Sequence, residues 1–182
     1  IKRGIAYCSE DRKHDGLFLG RPIMENMSAT ALKTISNYGI LNRSKEATST
    51  TENAVKFTID PQRLPQEAGV LSGGNQQKLA LGKWLSIAPK VILVNEPTRG
   101  VDVGARAEIY QILRNLADQG AAIVIASTDI QEITNLPNRI VSFYRGLQIG
   151  QLQLGEMTSA NILEQITDPF REAGIAVSEK TS

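Results

Sequence analysis

Two short runs of this sequence contain the residue types that phosphate chemistry needs. Residues 71–77 read Leu-Ser-Gly-Gly-Asn-Gln-Gln and lead into a stretch that is expected to be helical over residues 75–87. Glycines at the start of a helix leave bare backbone N–H groups that a phosphate can approach, and the hydroxyl of Ser72 adds a donor beside them. The first run therefore predicts a generic anion site.

The second run, residues 91–102, has the pattern of a buried parallel strand that ends in polar side chains. Four branched apolar residues precede Asn95 and Glu96, and Pro97 follows them. In open α/β sheets, ligands bind at the carboxyl ends of the strands. Glu96 is therefore placed where a general base for hydrolysis is expected. Taken singly, either run is more typical of an ordinary loop or core strand.

The rest of the chain alternates between strand and helix patterns, as α/β folds do. Residues 121–126 are apolar throughout, which predicts a central parallel strand with no wet face. A strand is also expected at residues 5–8, and a hairpin at 139–144 and 147–152 that turns at Arg145-Gly146. Helices are expected at 104–119 with Gly120 as its cap, at 130–136 and at 159–166, before a polar tail from about residue 174.

Two helical segments differ in their expected burial. Residues 21–57 are rich in Ala, Thr, Ser, Asn and Lys, and the pattern is broken near residues 37–39, so we expect a small helical subdomain with weak apolar faces. The helix over residues 75–87 is amphipathic. Its expected buried side holds Leu79, Leu81, Trp84 and Leu85, and Gln76, Gln77, Lys78 and Lys83 are expected elsewhere.

The composition excludes several classes of protein. The 182 residues carry a net charge of +1 and only 5% aromatic side chains, so neither a basic face for nucleic acid nor a stacking platform for single strands is indicated. The single cysteine, Cys8, cannot form an internal disulfide, and we interpret it as a buried strand residue. The single histidine, His14, is interpreted as a solvated loop residue. No apolar run approaches the ~18 residues of a membrane helix, so a role at a membrane depends on a partner.

The order and spacing of the two runs resemble the signature and Walker B motifs of ATP-binding cassette proteins. A second resemblance lies in Glu-Asp-Arg-Lys at residues 10–13, Asp-Gly-Leu at 15–17 and Glu-Asn-Met-Ser at 25–28, which look like the second half of the tandem ATP-binding subunits of bacterial sugar importers. It covers about residues 4–157 and is strongest over 71–106. The resemblance implies a P-loop NTPase-like α/β fold, with a parallel sheet flanked by helices and a small helical subdomain, truncated at the N-terminus.

The resemblance also implies roles for individual residues. ATP and Mg²⁺ would be the cofactors, and Glu96 would be the catalytic glutamate. Asp102 matches the aspartate of the loop that crosses to the partner domain. The remaining assignments are Ser72, Gly73, Gly74 and Gln76 as contacts in trans to ATP held by the partner, Thr128 at the position of a histidine that contacts the γ-phosphate, and Glu10, or its neighbour Ser9, in place of a membrane-sensing glutamine.

The implied partners are those of a sugar importer. They are transmembrane permease subunits, a partner cassette half formed by the N-terminal half of the same polypeptide, and indirectly a periplasmic sugar-binding protein. The protein would act at the cytoplasmic face of the bacterial inner membrane as a peripheral subunit, without nucleic acid. We expect four regions, residues 1–20, 21–70, 71–157 and 158–182, for the truncated core, the helical subdomain and linker, the signature and Walker B core, and a terminal helix and tail.

Two departures from the family pattern leave other functions open. Asn95 stands where the family has an aspartate that holds Mg²⁺ through water, and an amide brings no negative charge. No Gly-x-x-x-x-Gly-Lys-Ser/Thr phosphate loop occurs in the 182 residues, and the sequence begins within a strand pattern, so we expect a fragment that binds ATP poorly by itself and hydrolyses it negligibly. The alternatives are a degenerate half that serves allostery or dimerisation, and a soluble cassette protein of DNA repair or translation.

Overall fold

The structure is a computed structural model that describes residues 3–167. It divides into two compact units with a boundary between Ala126 and Ser127. The polar tail expected from residue 174 lies outside the described residues. None of the helices described between residues 3 and 167 combines the length and the apolar composition of a membrane-spanning segment.

The first unit combines a parallel sheet with a group of helices. Single helical turns lie at Arg12–Gly16, Pro61–Arg63 and Ala68–Val70. In chain order, the longer elements are β1 (Ile5–Cys8), α1 (Ile23–Ser28), α2 (Leu32–Ile35), β2 (Ser36–Asn37), β3 (Ile40–Leu41), α3 (Arg43–Lys56), α4 (Gly73–Leu85), β4 (Val91–Asn95), α5 (Val103–Asp118) and β5 (Ala122–Ala126).

The sheet has three described strands in the order β1-β4-β5, and both pairs are parallel. Val94 lies in register with Cys8 on one side and with Ile125 on the other. Side chains alternate between the two faces of a strand, so Cys8 and Val94 share a buried face. The parallel pairing confirms the α/β class that the apolar runs predict.

The expectation that residues 121–126 form a central strand without a wet face is wrong for the described sheet. β5 is an edge strand there, and Val124 is 55% exposed. Ala122 and Ala126, which lie on the same face of β5 as Val124, are exposed as well. An apolar composition permits burial on both faces but does not supply the neighbouring elements that would cover them.

Residues 21–57 form helices, as expected, but two features differ from the prediction. A small antiparallel pair, β2 with β3, interrupts the helices and turns through Tyr38 and Gly39, both with positive φ. This is the left-handed geometry of two-residue hairpin turns. The apolar faces are also stronger than expected, since Ile23, Met27 and Phe57 are almost completely buried.

The helix α4 is buried nearly all round, which corrects the amphipathic interpretation. It begins at Gly73, two residues before the predicted start, and it packs against α1, α3 and α5. Gln76, Gln77 and Lys78, which were expected away from the buried side, are all buried. A helix that is surrounded by other helices has no single apolar stripe, so periodicity alone misjudges its polar residues.

The helix α5 agrees closely with its sequence pattern. Asp102 caps its N-terminus by accepting a hydrogen bond from the amide of Ala105 (3.0 Å), and Gly120 adopts φ +95° just after its end. The spacing of its apolar residues places one stripe in the core, formed by Ile109, Ile112, Leu113 and Leu116.

The second unit consists of α6 (Ile130–Asn135), β6 (Arg139–Tyr144), β7 (Leu147–Gln153) and α7 (Ser159–Thr167). The antiparallel pair β6–β7 turns at Arg145 and Gly146, both with positive φ, which confirms the predicted hairpin. Its core is formed by Ile140, Leu152 and Ile162.

Candidate nucleotide-binding surface

The start of α4 offers backbone donors to an anion. Ser72 is the N-cap, and its hydroxyl oxygen accepts from the amide of Asn75 (3.4 Å), while its carbonyl accepts from the amide of Gln76 (2.9 Å). The amides of Gly73 and Gly74, the first two of this 13-residue helix, have no acceptor within residues 3–167. N–H groups of a first helical turn that lack intrahelical partners are suited to hold a phosphate.

Both glycines of this run are also required by packing. A Cβ built on Gly73 would lie 2.9 Å from the carbonyl oxygen of Gly100 and 3.0 Å from Nη2 of Arg12. A Cβ built on Gly74 would lie 2.4 Å from the Cβ of Ala105 on α5. These glycines are therefore required by packing, because no side chain fits between the start of α4 and its neighbours, in addition to the predicted approach of a phosphate.

Gln76, a predicted nucleotide contact, is buried just behind this surface. Its Nε2 donates to the carbonyl oxygen of Leu71 at 3.2 Å. Its Oε1 is buried and has no hydrogen-bond partner in the part of the chain that the structure describes. The side chain therefore stabilises the turn that precedes α4, and its contact with a nucleotide remains a prediction.

Asn95 and Glu96 lie at the carboxyl edge of the sheet, as expected for a parallel strand. Asn95 ends β4, and the amide of Glu96 donates to the carbonyl oxygen of Ala126 at 2.8 Å. Glu96 has φ +49°, in the left-handed region that side chains other than glycine adopt at a cost. The chain thus turns sharply at Glu96, and both residues are half-buried.

The residues that follow Glu96 form a compact turn. The amide of Arg99 donates to the carbonyl oxygen of Glu96, and the amide of Val101 donates to that of Thr98, each at 3.2 Å. We call residues 96–102 the glutamate turn. It ends at Asp102, which is exposed and caps α5, so the turn connects the sheet edge to the start of a helix.

A charged loop, residues 9–16, is attached to the glutamate turn. Nη1 of Arg99 lies 2.9 Å from Oε2 of Glu10, and Nη1 of Arg12 donates to the carbonyl oxygen of Arg99 at 2.8 Å. The neighbouring candidate, Ser9, donates instead to Asp15 within the loop (3.1 Å). A cleft of about 320 Å³ opens here, lined by Glu10, Asp11, Arg12, Lys13 and Arg99.

The chain is similar to ribose import ATP-binding proteins. It is 41% identical over 167 residues to the ribose import ATP-binding protein RbsA of Streptococcus agalactiae serotype Ia, covering 92% of this chain and 34% of that protein. It is 40% identical over 177 residues to RbsA of Ruegeria sp., covering 97% and 35%. The chain therefore spans about a third of the length of these curated relatives.

The chain belongs to the ATP-binding cassette family. Solved structures agree on the fold: a nucleotide-free ATP-binding cassette has a TM-score of 0.71 at 16% identity, covering 91% of this chain and 66% of that chain. A cassette solved as a dimer in a post-hydrolysis state with ADP and Pi has a TM-score of 0.69 at 20% identity, covering 82% and 62%. No protein-family model matches the chain. The cassette fold predicted from the two runs is thus confirmed.

A buried lysine ties two helices of the cassette together. Nζ of Lys78, on α4, donates to Oε2 of Glu108 on α5 (2.8 Å) and to the hydroxyl and carbonyl oxygens of Thr58 (2.9 and 3.3 Å). The side chain of Lys78 is 6% exposed and that of Glu108 is 49% exposed. The hydrogen bond from Lys78 is the main cause that lowers the pKa of Glu108. Helical periodicity contains no signal for this cluster, because it predicts Lys78 away from the buried side of the helix.

Thr128 is the second residue of the second unit. It is exposed and lies in the connection between β5 and α6. Its neighbours are held by local hydrogen bonds. The hydroxyl of Ser127 donates to Oε2 of the buried Glu132 (2.5 Å), and the hydroxyl oxygen of Ser127 accepts from the backbone amide of Asp129 (3.0 Å). The predicted role of Thr128 at a γ-phosphate stays a prediction.

The described residues provide little for a metal ion on their own. Between residues 3 and 167, no group of three His, Cys, Asp or Glu side chains lies close enough to hold one. At the sheet edge Asn95 offers only a neutral amide, so Mg²⁺ would need oxygen ligands from a nucleotide and from water. Cys8 is buried in the sheet, and burial raises the pKa of its thiol to about 11, while the side chain of His14 is 83% exposed beside Asp11.

Proposed function

We propose that this chain supplies the signature and Walker B elements of an ATPase that drives sugar import. The observation that carries the proposal is the start of α4, where the amides of Gly73 and Gly74 lack acceptors among residues 3–167 at a helix terminus suited to phosphate. The similarity to ribose import ATP-binding proteins supports ribose or a related sugar as the cargo of the complete importer.

In this proposal α4 acts on a nucleotide that the chain itself does not cradle. The phosphate loop that would hold ATP is absent from the 182 residues. In line with the resemblance to the signature motif of cassette dimers, Ser72, Gly73 and Gly74, with Gln76 behind them, contact the phosphates of ATP held by a partner cassette half. Closure of two halves around ATP, and their reopening after hydrolysis, would move the transmembrane permease subunits.

Glu96 orients or deprotonates the water that attacks the γ-phosphate. Three features support this role: its place at the carboxyl edge of the sheet, its half-buried side chain, and the sharp turn that its positive φ produces. Bound Mg²⁺ would neutralise phosphate charge and would be contacted from this chain by the amide of Asn95 through water. Asp102, at the end of the glutamate turn, faces the partner half, and Thr128 approaches the γ-phosphate.

The remaining partners follow from the same proposal. The chain would act at the cytoplasmic face of the bacterial inner membrane, bound to the permease, and a periplasmic sugar-binding protein would deliver the cargo. Glu10 is favoured over Ser9 as the substitute for the membrane-sensing glutamine, because its carboxylate is paired with Arg99 on the glutamate turn. Ser9 is engaged within its own loop.

The test uses a chimera in which this chain replaces the matching third of the Streptococcus agalactiae relative. Glu96→Gln should lower kcat of ATP hydrolysis about 100-fold or more, since general-base catalysis contributes roughly 10²–10⁴-fold. The matched control is Glu52→Gln, a carboxylate exposed on α3, which should hydrolyse ATP at the rate of the unmodified chimera.

A degenerate cassette half is the second candidate, and Asn95 favours it because a neutral amide holds Mg²⁺ more weakly than a carboxylate. If the chimera binds ATP but Glu96→Gln leaves turnover unchanged, this candidate replaces the first. Tight, salt-dependent binding of nucleic acid would instead favour a soluble cassette protein of DNA repair or translation.

A further inference from the structure

The guanidinium of Arg12 lies where three segments meet that are far apart in sequence. It belongs to the charged loop, donates to the carbonyl oxygen of Arg99 in the glutamate turn (2.8 Å), and its Nη2 would lie 3.0 Å from a Cβ built on Gly73 at the start of α4. The same Nη2 is 3.8 Å from the Cβ position of Gly100. One side chain is therefore hydrogen-bonded to the turn that follows Glu96 and fills the space beside the helix terminus suited to phosphate.

The charged loop is linked to the glutamate turn by two contacts, both of them with Arg99. Arg99 is held by its backbone, through Arg12, and by its side chain, through the ion pair with Glu10 (2.9 Å). The backbone amide of Arg99 in turn donates to the carbonyl oxygen of Glu96. A displacement of the charged loop thus reaches the backbone of Glu96 through two consecutive hydrogen bonds.

The environment of Arg12 is energetically unfavourable for a cation, because the guanidinium is partly buried and one of its donors is unsatisfied. Burial lowers the pKa of its guanidinium, and its Nε is buried without a hydrogen-bond partner among residues 3–167. The next residue, Lys13, carries the same charge on the same cleft but is exposed. A desolvated and incompletely bonded arginine between two candidate functional segments is better explained by positioning than by stability.

We propose that Arg12 is a positioning residue that couples the charged loop to the glutamate turn and to the start of α4. Nη1 of its planar fork donates to Arg99 while Nη2 lies beside the Cβ position of Gly73, and a lysine ammonium has no second nitrogen to fill both places. The charged loop then sets the position of Glu96 relative to Gly73. The consequence for ATP hydrolysis rests on the proposed function, whereas the mechanical coupling does not.

The coupling is tested without nucleotide, by amide hydrogen exchange in the 182-residue chain. In Arg12→Ala we expect the amides of Arg99 and Val101 to exchange about tenfold faster or more, because a local opening then costs one charge-assisted hydrogen bond less. Low concentrations of guanidinium ion, below those that unfold the chain, should restore slow exchange at these amides. Arg12→Lys should fall between wild type and Arg12→Ala.

The control is Lys13→Ala, which removes an equal charge from the same cleft and should exchange like wild type. Equal exchange in Arg12→Ala and Lys13→Ala would overturn the proposal. A rise that spreads equally over β4 and α5, or one that guanidinium does not reverse, would also overturn it, because that is the behaviour of a merely structural residue.

The effect on hydrolysis is measured separately, in the chimera with the Streptococcus agalactiae relative. Arg12→Ala should lower kcat about tenfold with little change in KM for ATP, since a displaced Glu96 impairs a step after binding. A rise in KM of about tenfold with unchanged kcat would contradict positioning of Glu96, because it would mean that only ATP binding is impaired. If the chimera hydrolyses no ATP while the exchange result holds, the proposed function fails and the coupling by Arg12 stands.

Discussion

Gly74 and Ala105 approach each other so closely that a Cβ on Gly74 would lie 2.4 Å from the Cβ of Ala105. This contact joins the start of α4 to the first turn of α5, the helix that Asp102 caps. The helix start proposed to contact a partner's nucleotide is therefore packed directly against the helix start proposed to face the partner domain. The absence of a side chain at one position determines how near the two helices lie.

Gly74→Ala is expected to destabilise the chain by about 1–3 kcal/mol, the usual range for overpacking a dense contact. The measurement is urea unfolding. Gly104→Ala is the matched control, because its Cβ would meet only the Asp102 carboxylate at 3.4 Å, and it should be neutral or slightly stabilising. Adding Ala105→Gly to Gly74→Ala should recover part of the loss, and failure to do so would contradict the steric explanation.

The pH dependence of stability should contain a contribution from Glu108. The hydrogen bond from Lys78 lowers its folded-state pKa below the ordinary 4.5, so the stabilisation is present above the unfolded pKa and is lost as pH falls through the folded one. Urea unfolding of Glu108→Gln between neutral and acid pH should therefore show a flatter decline than wild type. The control Glu52→Gln should keep the wild-type slope, and an unchanged slope in Glu108→Gln would refute the assignment.

Cys8 should be inert in the folded chain. Its thiol is buried and has a pKa of about 11, so little thiolate exists near pH 8 and reagents have no access to it. Alkylation with iodoacetamide should be at least about 100-fold slower in the native chain than in urea, where the pKa returns to its ordinary range. A chain with Cys8→Ala and Val55→Cys, a position exposed on α3, should react rapidly when folded. Equal native rates would contradict the burial.

The chain by itself should bind ATP weakly. It has the donors of Gly73 and Gly74 but no phosphate loop, so a labelled ATP analogue is expected to show no binding at micromolar concentrations. Equilibrium dialysis checks this directly. Micromolar affinity would mean that other residues form a phosphate cradle, and it would refute the expectation that the chain alone binds ATP poorly.

The sequence predicts correctly those features that depend on residues close together in the chain. The stripe of α5, its cap at Asp102 and the hairpin at Arg145-Gly146 depend on periodicity and turn chemistry, and all three agree with the structure. Lys78 and β5 were misjudged because their exposure depends on elements distant in sequence. The link between Arg12 and Arg99 spans 87 residues, and no spacing rule pairs two such positions.

The candidate site also combines features that follow from local sequence with features that depend on distant contacts. Glu96 and Asn95 could be placed at the sheet edge because a parallel strand delivers its last residues there. The close packing of Gly73 on Gly100 and of Gly74 on Ala105 could not be predicted, because these pairs lie about 30 residues apart in the sequence. The residue types therefore predict phosphate chemistry at this site, whereas the contacts that hold the site together depend on packing between distant segments.

The central claim is that the start of α4 contacts ATP held by a partner half, and one labelling measurement tests it most directly. A chain with Cys8→Ala and Ser72→Cys is treated with an ATP analogue whose γ-phosphate carries a thiol-reactive group, both alone and within the Streptococcus agalactiae chimera. We predict labelling at position 72 in the chimera and none in the isolated chain. Equal labelling of both, or labelling of the isolated chain alone, would contradict the claim.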